Sequence, residues 1–547
     1  MAKQLKVAFL GGVGEIGKNM TAIEYGDNIF IIDCGSAFPS NDTPGVDLVI
    51  PDFNYIVENR DKVRAIFLTH GHEDHIGGMP YLLRELPNVK VYGSKLTLAL
   101  LEHKLNENKQ DMPKVVVVND GSKEKIGVFT IEFIKQSHSI SGAFALAITT
   151  PLGVIFHTGD YKIDYTPIDN DRANLARFAS LGDEGVLLMM GESTNIEKCG
   201  YSMSESAVGM TFDKLFADNL NNRLIIATFA SNVHRLQQIL NMCEKYGRKV
   251  VFNGRSMLKV SELAKLIGEL NYKPGTVIEP EEMSKYPDKK ICIISTGSQG
   301  EPMSALTRMA SGEDKINVGK NDVVILSSSP IPGNERYVYT VINNLYKRGA
   351  RVIYGSLGDL HVSGHACKEE LKLMLSLIRP KFFIPVHGEY RHLKQHQELA
   401  EKLGVKSSNS MICEIGSMVE VKKNKLVALD NIVAGSVYVD GYSDVDDIVL
   451  RDRTMLSKDG FVVIMLGISL EENALASPPE IIARGLQFSE EIIEEMRANI
   501  ITMFDTFEYK SASDRGSLKA KIRRNLNNLI KSKLKQRPMI LPIIMEI

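Results

Sequence analysis

Positions 70 to 75 read His70-Gly71-His72-Glu73-Asp74-His75, set between the apolar end of IFLT and the pair Gly77-Gly78. The chain has 12 histidines, so a quarter of them sit in this one turn. Neutral imidazoles and a carboxylate this close together suit zinc or another borderline divalent ion. Gly71 lets the backbone turn tightly enough for the side chains to converge. Four ligands in so short a run crowd one tetrahedral ion, so two ions sharing the turn is the simpler reading.

A two-ion site needs further ligands. His138 ends FTIEFIKQSH, Asp160 ends GVIFHTGD and His387 follows KFFIPV, so each lies just past a strand-like run, at the rim where sites are normally built. Taken singly, each also reads as a strand cap, a turn residue or a core histidine.

The elements that must position these groups alternate along the chain. Residues 1–60 hold short β-rich runs (KVAFLGG, NMTAIEYG, NIFIIDCG) broken by turn residues such as Gly26-Asp27-Asn28. GVGEIG at 12–17 matches a dinucleotide fingerprint and Asp33 stands downstream, but that fingerprint needs a helix directly after the glycines, and a β-hairpin is expected here. Residues 205–350 repeat strand, loop and helix, the pattern of a doubly wound α/β insert. β-rich character returns after 350. The last segment has an acidic helix from about Ser489, a basic helix within 515–535 with Leu518, Ile522, Leu526, Leu529 and Leu534 at helical spacing, and a final strand, MILPIIMEI.

The expected boundaries are 1–204, an insert at 205–350, a return at 351–445, a linker at 446–458 and a small α/β domain at 459–547. A chain of 547 residues is too long for one core, and 44% hydrophobic with 24% charged residues is a globular composition. No apolar stretch spans a bilayer and MAKQLKVAFLGG lacks the features of a secretory signal, so a cytoplasmic location is expected. The six cysteines are scattered with no C-x-x-C pair, which argues against a zinc ribbon and a disulfide framework and points to reduced, buried thiols. A net charge of −2 leaves nucleic acid open, provided a local basic patch meets it.

H70-x-H72-x-D74-H75, with Asp33 after an apolar strand and His138 and Asp160 downstream, resembles the metallo-β-lactamase fold. The α/β insert, H361-V-S-G-H365 and P-V-H387-G-E-Y resemble its β-CASP branch. GGVGEIGKN, GVDLVIPD, LTHGHEDHIGG, TFASNVHR, LHVSGHA and PVHGEYRHL stand in the order that the ribonuclease J family shows, across essentially the whole chain. The resemblance implies an α/β architecture: an αββα sandwich, an inserted doubly wound β-CASP domain and a C-terminal domain that serves self-association.

It also implies one ion held by His70, His72 and His138, and a second held by Asp74, His75 and His387, with Asp160 bridging and Asp33 orienting the loop histidines. The ions would be zinc, or manganese or magnesium. A structural calcium is implied at the Gly45 carbonyl, Asp47 and Asp440. Glu192 occupies the family's acidic β-CASP position, where aspartate is usual, and SISGAF after His138 replaces a proline-and-aspartate turn.

Two close divalent ions favour hydroxide from a shared water and neutralise charge at a phosphodiester under attack. Asp74 would orient the hydroxide and His365 would serve the leaving 3′ oxygen. Ser231-Asn232-Val233-His234, at a helix start, and His361-Val362-Ser363-Gly364-His365 would cradle phosphates, including a 5′-monophosphate. The implied protein is a 5′→3′ exoribonuclease with endonuclease activity on single-stranded RNA, acting in mRNA decay and rRNA maturation. It would work as a homodimer or tetramer, with a paralogous subunit or RNA-degradation complex as further partners, and apart from membranes.

Arg255 and Arg308 are candidates to line an RNA channel. The run Lys510–Arg537 holds ten Lys/Arg and one acid, Asp514, and is read as pairing with Glu490, Glu491, Glu494 and Glu495. His392 and His396, four apart with no acid ligand nearby, read as surface residues. Two other classes compete: a non-catalytic RNA-binding subunit of a paired complex, against which the intact His70, His72, Asp74, His75 set argues, and a small-molecule thioester or lactam hydrolase, which needs no insert of this size.

Overall fold

The computed structural model describes residues 3–547 apart from 41, 169–171, 302, 329, 331–333, 356–359, 361, 442, 470, 508 and 510–511. The chain divides into two units, Met1–Ala37 with Ile50–Ser436, and Phe38–Val49 with Val437–Ile547.

Strands of the first unit read as near-continuous apolar runs because both faces of its sheets are covered. In Asn28–Ile32, Phe30 and Ile32 point to one core while Ile29 and Ile31 point to another, the two-residue alternation of a strand between two layers. An eight-stranded sheet includes Leu5–Gly11, Met20–Tyr25, Asn28–Ile32, Val63–Phe67 and Lys90–Gly93. A six-stranded sheet runs Phe382–Val386, Val186–Glu192, Gly153–His157, Phe144–Thr150, Phe129–Lys135, Lys123–Ile126. Phe30, Phe67, Phe129 and Phe133 fill the space between them, with Phe30 and Phe129 edge to face at 4.5 Å. Helices Met79–Glu85 and Lys95–Glu107 cover one outer face, and Leu175–Glu184, Lys368–Ile378 and Tyr390–Lys402 the other. This is the αββα sandwich. After GVGEIG comes the expected hairpin, Met20–Tyr25 against Asn28–Ile32, so the glycines open no helix.

The insert is a five-stranded parallel sheet in the order Lys249–Asn253, Ile291–Ser295, Arg223–Ala227, Asp322–Leu326, Arg351–Ile353. Leu224, Val250, Cys292 and Val323 face one helix layer, and Ile225, Val251, Ile293 and Val324 the other, which makes it doubly wound.

In the second unit, Phe461–Ser469 pairs with Met539–Glu546 in parallel and with Glu480–Arg484 antiparallel. Helices Glu490–Asp505, which Ser489 caps, and Arg515–Leu534 bury Met496, Ile500, Leu518, Ile522, Leu526 and Ile530 together, while Leu529 and Leu534 are half-buried. Lys533 meets Glu495 at 3.0 Å, in line with the acid–base pairing expected between these helices. Residues expected to be linker instead form helix Asp447–Asp459: Asp446 accepts the Val449 N–H at 2.8 Å, a cap that polar composition disguises as a loop. Five cysteines are buried and Cys199 is exposed. Among the described residues, no helix is long and apolar enough to cross a membrane.

Candidate metal centre

Each candidate ligand sits just past a strand of the sandwich, so the two sheets deliver all of them to one rim. His70 follows Val63–Phe67, His72 directly precedes the short helix Glu73–Ile76 that holds Asp74 and His75, His138 follows Phe129–Lys135, Asp160 follows Gly153–His157 and His387 follows Phe382–Val386. His70 Nε2 lies 3.1 Å from His72 Nδ1, which lies 3.1 Å from His138 Nε2. Ligand nitrogens on one tetrahedral zinc stand roughly 3.3 Å apart, so this trio has the spacing of a shared ion. Beside it, His75 Nε2 is 3.2 Å from Asp160 Oδ2, His387 Nε2 is 3.2 Å from Asp74 Oδ2 and 3.5 Å from Asp160 Oδ2. The same Asp160 oxygen is 3.8 Å from His70 Nε2 and 4.0 Å from His138 Nε2, so it stands between the two groups. All seven residues converge, as two clusters around one carboxylate oxygen.

Outer partners hold the inward nitrogens in place. His75 Nδ1 is 2.8 Å from Asp33, whose carboxylate also accepts the Thr69 N–H at 2.8 Å and the Thr69 hydroxyl at 2.7 Å. Asp33 does this from a left-handed backbone, φ 58, which aspartate tolerates. His138 Nδ1 donates to the Gly364 carbonyl at 2.7 Å, and His387 Nδ1 meets the Thr194 hydroxyl at 2.6 Å. Partners of this kind fix tautomer and ring orientation. A Cβ at residue 364 would lie 2.6 Å from His138 Cε1, so only glycine lets that carbonyl approach.

The electrostatics divide the centre. Burial, reinforced by neighbouring imidazoles, holds His70 and His138 well below the usual histidine range. Burial also lowers His72 to about 4, despite Asp74 and Asp160. These three are neutral and able to donate a lone pair. Burial also acts against charge on His75 and His387, but there the carboxylates of Asp160 and Asp74 outweigh it and raise both. Asp74 and Asp160 are in turn held low, because the imidazolium neighbours outweigh burial. That half calls for positive charge, and a divalent ion supplies it while displacing protons. The donor set therefore fits metal in both halves.

His365 lies beside the second cluster. Its Nδ1 is 3.4 Å from Glu192 Oε2 and 3.7 Å from Asp160 Oδ2. Burial lowers it, but Glu192 and Asp160 prevail and lift it to about 9. Glu192 is locked by the backbone N–H groups of Ala366 at 3.2 Å, Tyr161 at 3.4 Å and Thr194 at 3.2 Å. Asn195 Nδ2 donates to Ser363 Oγ at 2.7 Å and to the His365 carbonyl at 3.1 Å, pinning the Val362–His365 turn. Val362 is buried in the core, and His361 lies outside the described residues. In the other loop Val233 is buried and Asn232 caps helix Val233–Lys245 by accepting the Arg235 N–H at 3.0 Å, while Ser231 and His234 are half-buried.

Several expectations change. His392 and His396 are not surface residues: helix Tyr390–Lys402 turns both inward, to 4% and 0% exposure. His396 Nδ1 meets the Ser193 hydroxyl at 3.0 Å and its ring lies edge-on to Phe383, while His392 Nδ1 accepts the Glu389 N–H at 3.2 Å. Of the residues implied for a calcium, Gly45 and Asp440 meet a guanidinium: Arg453 donates to the Gly45 carbonyl at 2.7 Å and to Asp440 at 2.6 Å, while Asp47 accepts the Gly441 N–H at 2.9 Å. Oxygens already served by a cation do not fit a calcium ion. Arg308 pairs with Asp314 at 3.0 Å, and Arg255 opens helix Arg255–Leu266 exposed. Sequence reasoning missed Thr69, Thr194 and Asn195; their only signal was a polar side chain adjoining a ligand or Glu192 in sequence.

Comparison with known proteins agrees with this geometry. The Metallo-beta-lactamase superfamily matches residues 13–184 and the Ribonuclease J beta-CASP domain 221–345. The Zn-dependent metallo-hydrolase RNA specificity domain matches 351–409 and the Ribonuclease J C-terminal domain 448–547. Ribonuclease J2 of Bacillus subtilis (strain 168) is 40% identical over 100% of this chain and 99% of its own length. Ribonuclease J of Corynebacterium glutamicum is 40% identical over 99% of this chain and 76% of its own, and Ribonuclease J 1 of Streptococcus pyogenes serotype M3 is 39% identical over 99% and 98%. A crystal structure of a protein of unknown function from Enterococcus faecalis V583 shares the fold alone, with TM-score 0.55 at 20% identity over 77% of this chain and 100% of that one. A rim of histidines and aspartates able to bind metal, on a metallo-hydrolase sandwich with an RNA-specificity segment, is the apparatus of a metal-dependent ribonuclease, and the chain belongs to the ribonuclease J family.

Proposed function

We propose that the protein is a 5′→3′ exoribonuclease that prefers 5′-monophosphorylated single-stranded RNA, also cuts internally, and acts in mRNA decay and rRNA maturation. The observation that supports this most is the single oxygen, Asp160 Oδ2, within 4.0 Å of inward nitrogens from both histidine clusters. His70, His72 and His138 would hold one ion, and Asp74, His75 and His387 the other, with Asp160 between; zinc suits the donors, and manganese or magnesium are the other candidates. When bound, such ions lower the pKa of a water to near neutrality and offset charge on the scissile phosphate.

The chain's own groups do the rest. Asp74, ionised and half-exposed at the rim, orients the attacking water by accepting its hydrogen bond. His365, kept protonated near neutral pH by Glu192 and Asp160, gives a proton to the leaving 3′ oxygen. Ser231 and His234, with the turn Val362–His365 and His361, would take phosphates, the terminal one among them, and so count nucleotides from the 5′ end. Self-association fits the last strand, where Leu541, Ile543 and Met545 alternate outward at 37%, 44% and 50% exposure. No calcium is proposed beside Arg453.

The test is to incubate purified protein with 5′-monophosphorylated and 5′-triphosphorylated RNA plus Mn²⁺, Mg²⁺ or chelator. Mononucleotides released from the monophosphorylated RNA, and none in His72→Ala, is the expected result. Inertness on every RNA at full metal occupancy sinks the reading.

A further inference from the structure

Arg235 is the largest fully buried side chain among the described residues, at 0% exposure, in the first turn of helix Val233–Lys245. Its guanidinium reaches away from that loop in two directions. Nη1 donates to the Leu360 carbonyl at 2.7 Å and contacts the Ser327 hydroxyl, which itself donates to Leu360 O at 2.6 Å. Leu360 lies two residues before Val362, where the turn that bears Ser363, Gly364 and His365 begins. Nη2 donates to Glu205 Oε2 at 2.8 Å.

Glu205 continues the connection toward the metal centre. Its backbone N–H donates to Asp164 Oδ2 at 3.0 Å and its Oε1 is 3.7 Å from Lys162 Nζ, while Lys162 Nζ is 3.6 Å from Asp164. Lys162 lies two residues past Asp160, and its N–H donates to the carbonyl of Ser137, the neighbour of His138, at 2.8 Å. Two cations and two anions, none more than 5% exposed, thus form a neutral buried quartet. It ties the insert to the loops of Asp160 and His138, and Arg235 extends it to the Leu360 carbonyl. The guanidinium suits this place because its planar fork engages two acceptors in fixed directions, which a flexible ammonium does not.

We propose that Arg235 is a positioning residue that sets the spacing between the 362–365 turn and the metal centre, and through it the register at which a 5′-monophosphorylated end meets the scissile bond. The proposal rests on the reading above that this turn takes the terminal phosphate.

The test compares wild type with Arg235→Lys and with the charge-balanced Arg235→Met/Glu205→Gln, each checked for metal content and thermal unfolding. Hydrolysis of bis(p-nitrophenyl) phosphate, which has no 5′ end, reports the metal centre. Linear 5′-monophosphorylated and 5′-hydroxyl RNA report the register. Both variants should hydrolyse the small diester, whose p-nitrophenolate leaves without a proton from His365, far closer to the wild-type rate than RNA, while KM for 5′-monophosphorylated RNA rises by ~10- to 100-fold, the scale of a misplacement near 1 Å, and products longer than one nucleotide appear. Restoration of wild-type KM by lysine would show that only the charge matters and overturns the proposal. So does a parallel fall in diester and RNA hydrolysis, which is what loss of general structure gives. The wild-type arm judges the phosphate-turn reading separately: a preference for monophosphorylated RNA that both variants keep removes Arg235's role and leaves the turn's standing, whereas no preference in wild type removes both.

Discussion

The two halves of the centre use the same side chain in opposite ways. His70, His72 and His138 meet nitrogen to nitrogen, with their one shared carboxylate oxygen no nearer than 3.8 Å to His70, and burial keeps them neutral. His75 and His387 are as deeply buried, yet carboxylate oxygens at 3.2 Å raise their proton affinity. Burial alone disfavours the imidazolium, and only a close anion reverses that. The first half is thus ready to accept a cation by lone pairs, whereas the second must exchange protons for it.

The sharpest way to break this division is Asp160→Asn, which keeps the side chain's shape and removes the charge both halves face. Loss of a merely supporting partner costs 10- to 100-fold in affinity or activity, so loss of the shared ligand should exceed about 100-fold in kcat/KM and empty both clusters by elemental analysis. Retention of one ion per chain would show that the halves are independent. Metal addition to apoprotein gives the next largest effect. Because His75 and His387 have raised pKa values, adding zinc near neutral pH should release protons from that half and none from the neutral trio. Affinity for that ion should therefore rise with pH until those groups are deprotonated, and pH-stat titration reads both. Release of less than about half a proton would remove the electrostatic contrast.

Smaller changes sharpen it. Thr194→Val removes the hydroxyl 2.6 Å from His387 Nδ1 and should weaken the carboxylate-rich half about 10-fold. Gly364→Ala drives a methyl toward His138, 2.6 Å from Cε1, and should act on the trio by a similar factor. Competition with a chromogenic chelator separates the two sites. Equal weakening of both by each variant would mean that the halves share their support.

The seven converging residues were readable in the sequence because each is a chemically distinctive residue placed just past an apolar run, and the strand alternation that forms the layers is written in the same runs. The supports were not. Thr69, Thr194, Asn195 and Arg235 are ordinary residue types whose roles depend on what the fold brings opposite them, up to 193 positions away for Thr194 and His387. The helix at Asp447–Asp459 was hidden for a different reason, since all of its side chains stay at least partly exposed and its polar face reads as linker.

His396 extends the comparison to a buried histidine outside the centre. Like the trio, it is buried; among the described residues it has Ser193 as its polar partner at 3.0 Å, and burial lowers it to about 3. In the unfolded chain it titrates near 6.5. Its folded pKa is the lower one, so between these values the unfolded state binds the extra proton. The stability associated with a neutral His396 is complete above about pH 6.5 and falls by about 1.4 kcal/mol per unit as pH drops toward 3. His396→Gln, which keeps a polar group near Ser193 without a titratable one, should lower the slope of unfolding free energy against pH by one proton's worth between pH 6 and 4, whatever its effect on stability at pH 8. Chemical denaturation at several pH values reads the slope directly. An unchanged slope would mean that His396 already takes up its proton while folded, and that burial without a carboxylate is not enough to keep an imidazole neutral here.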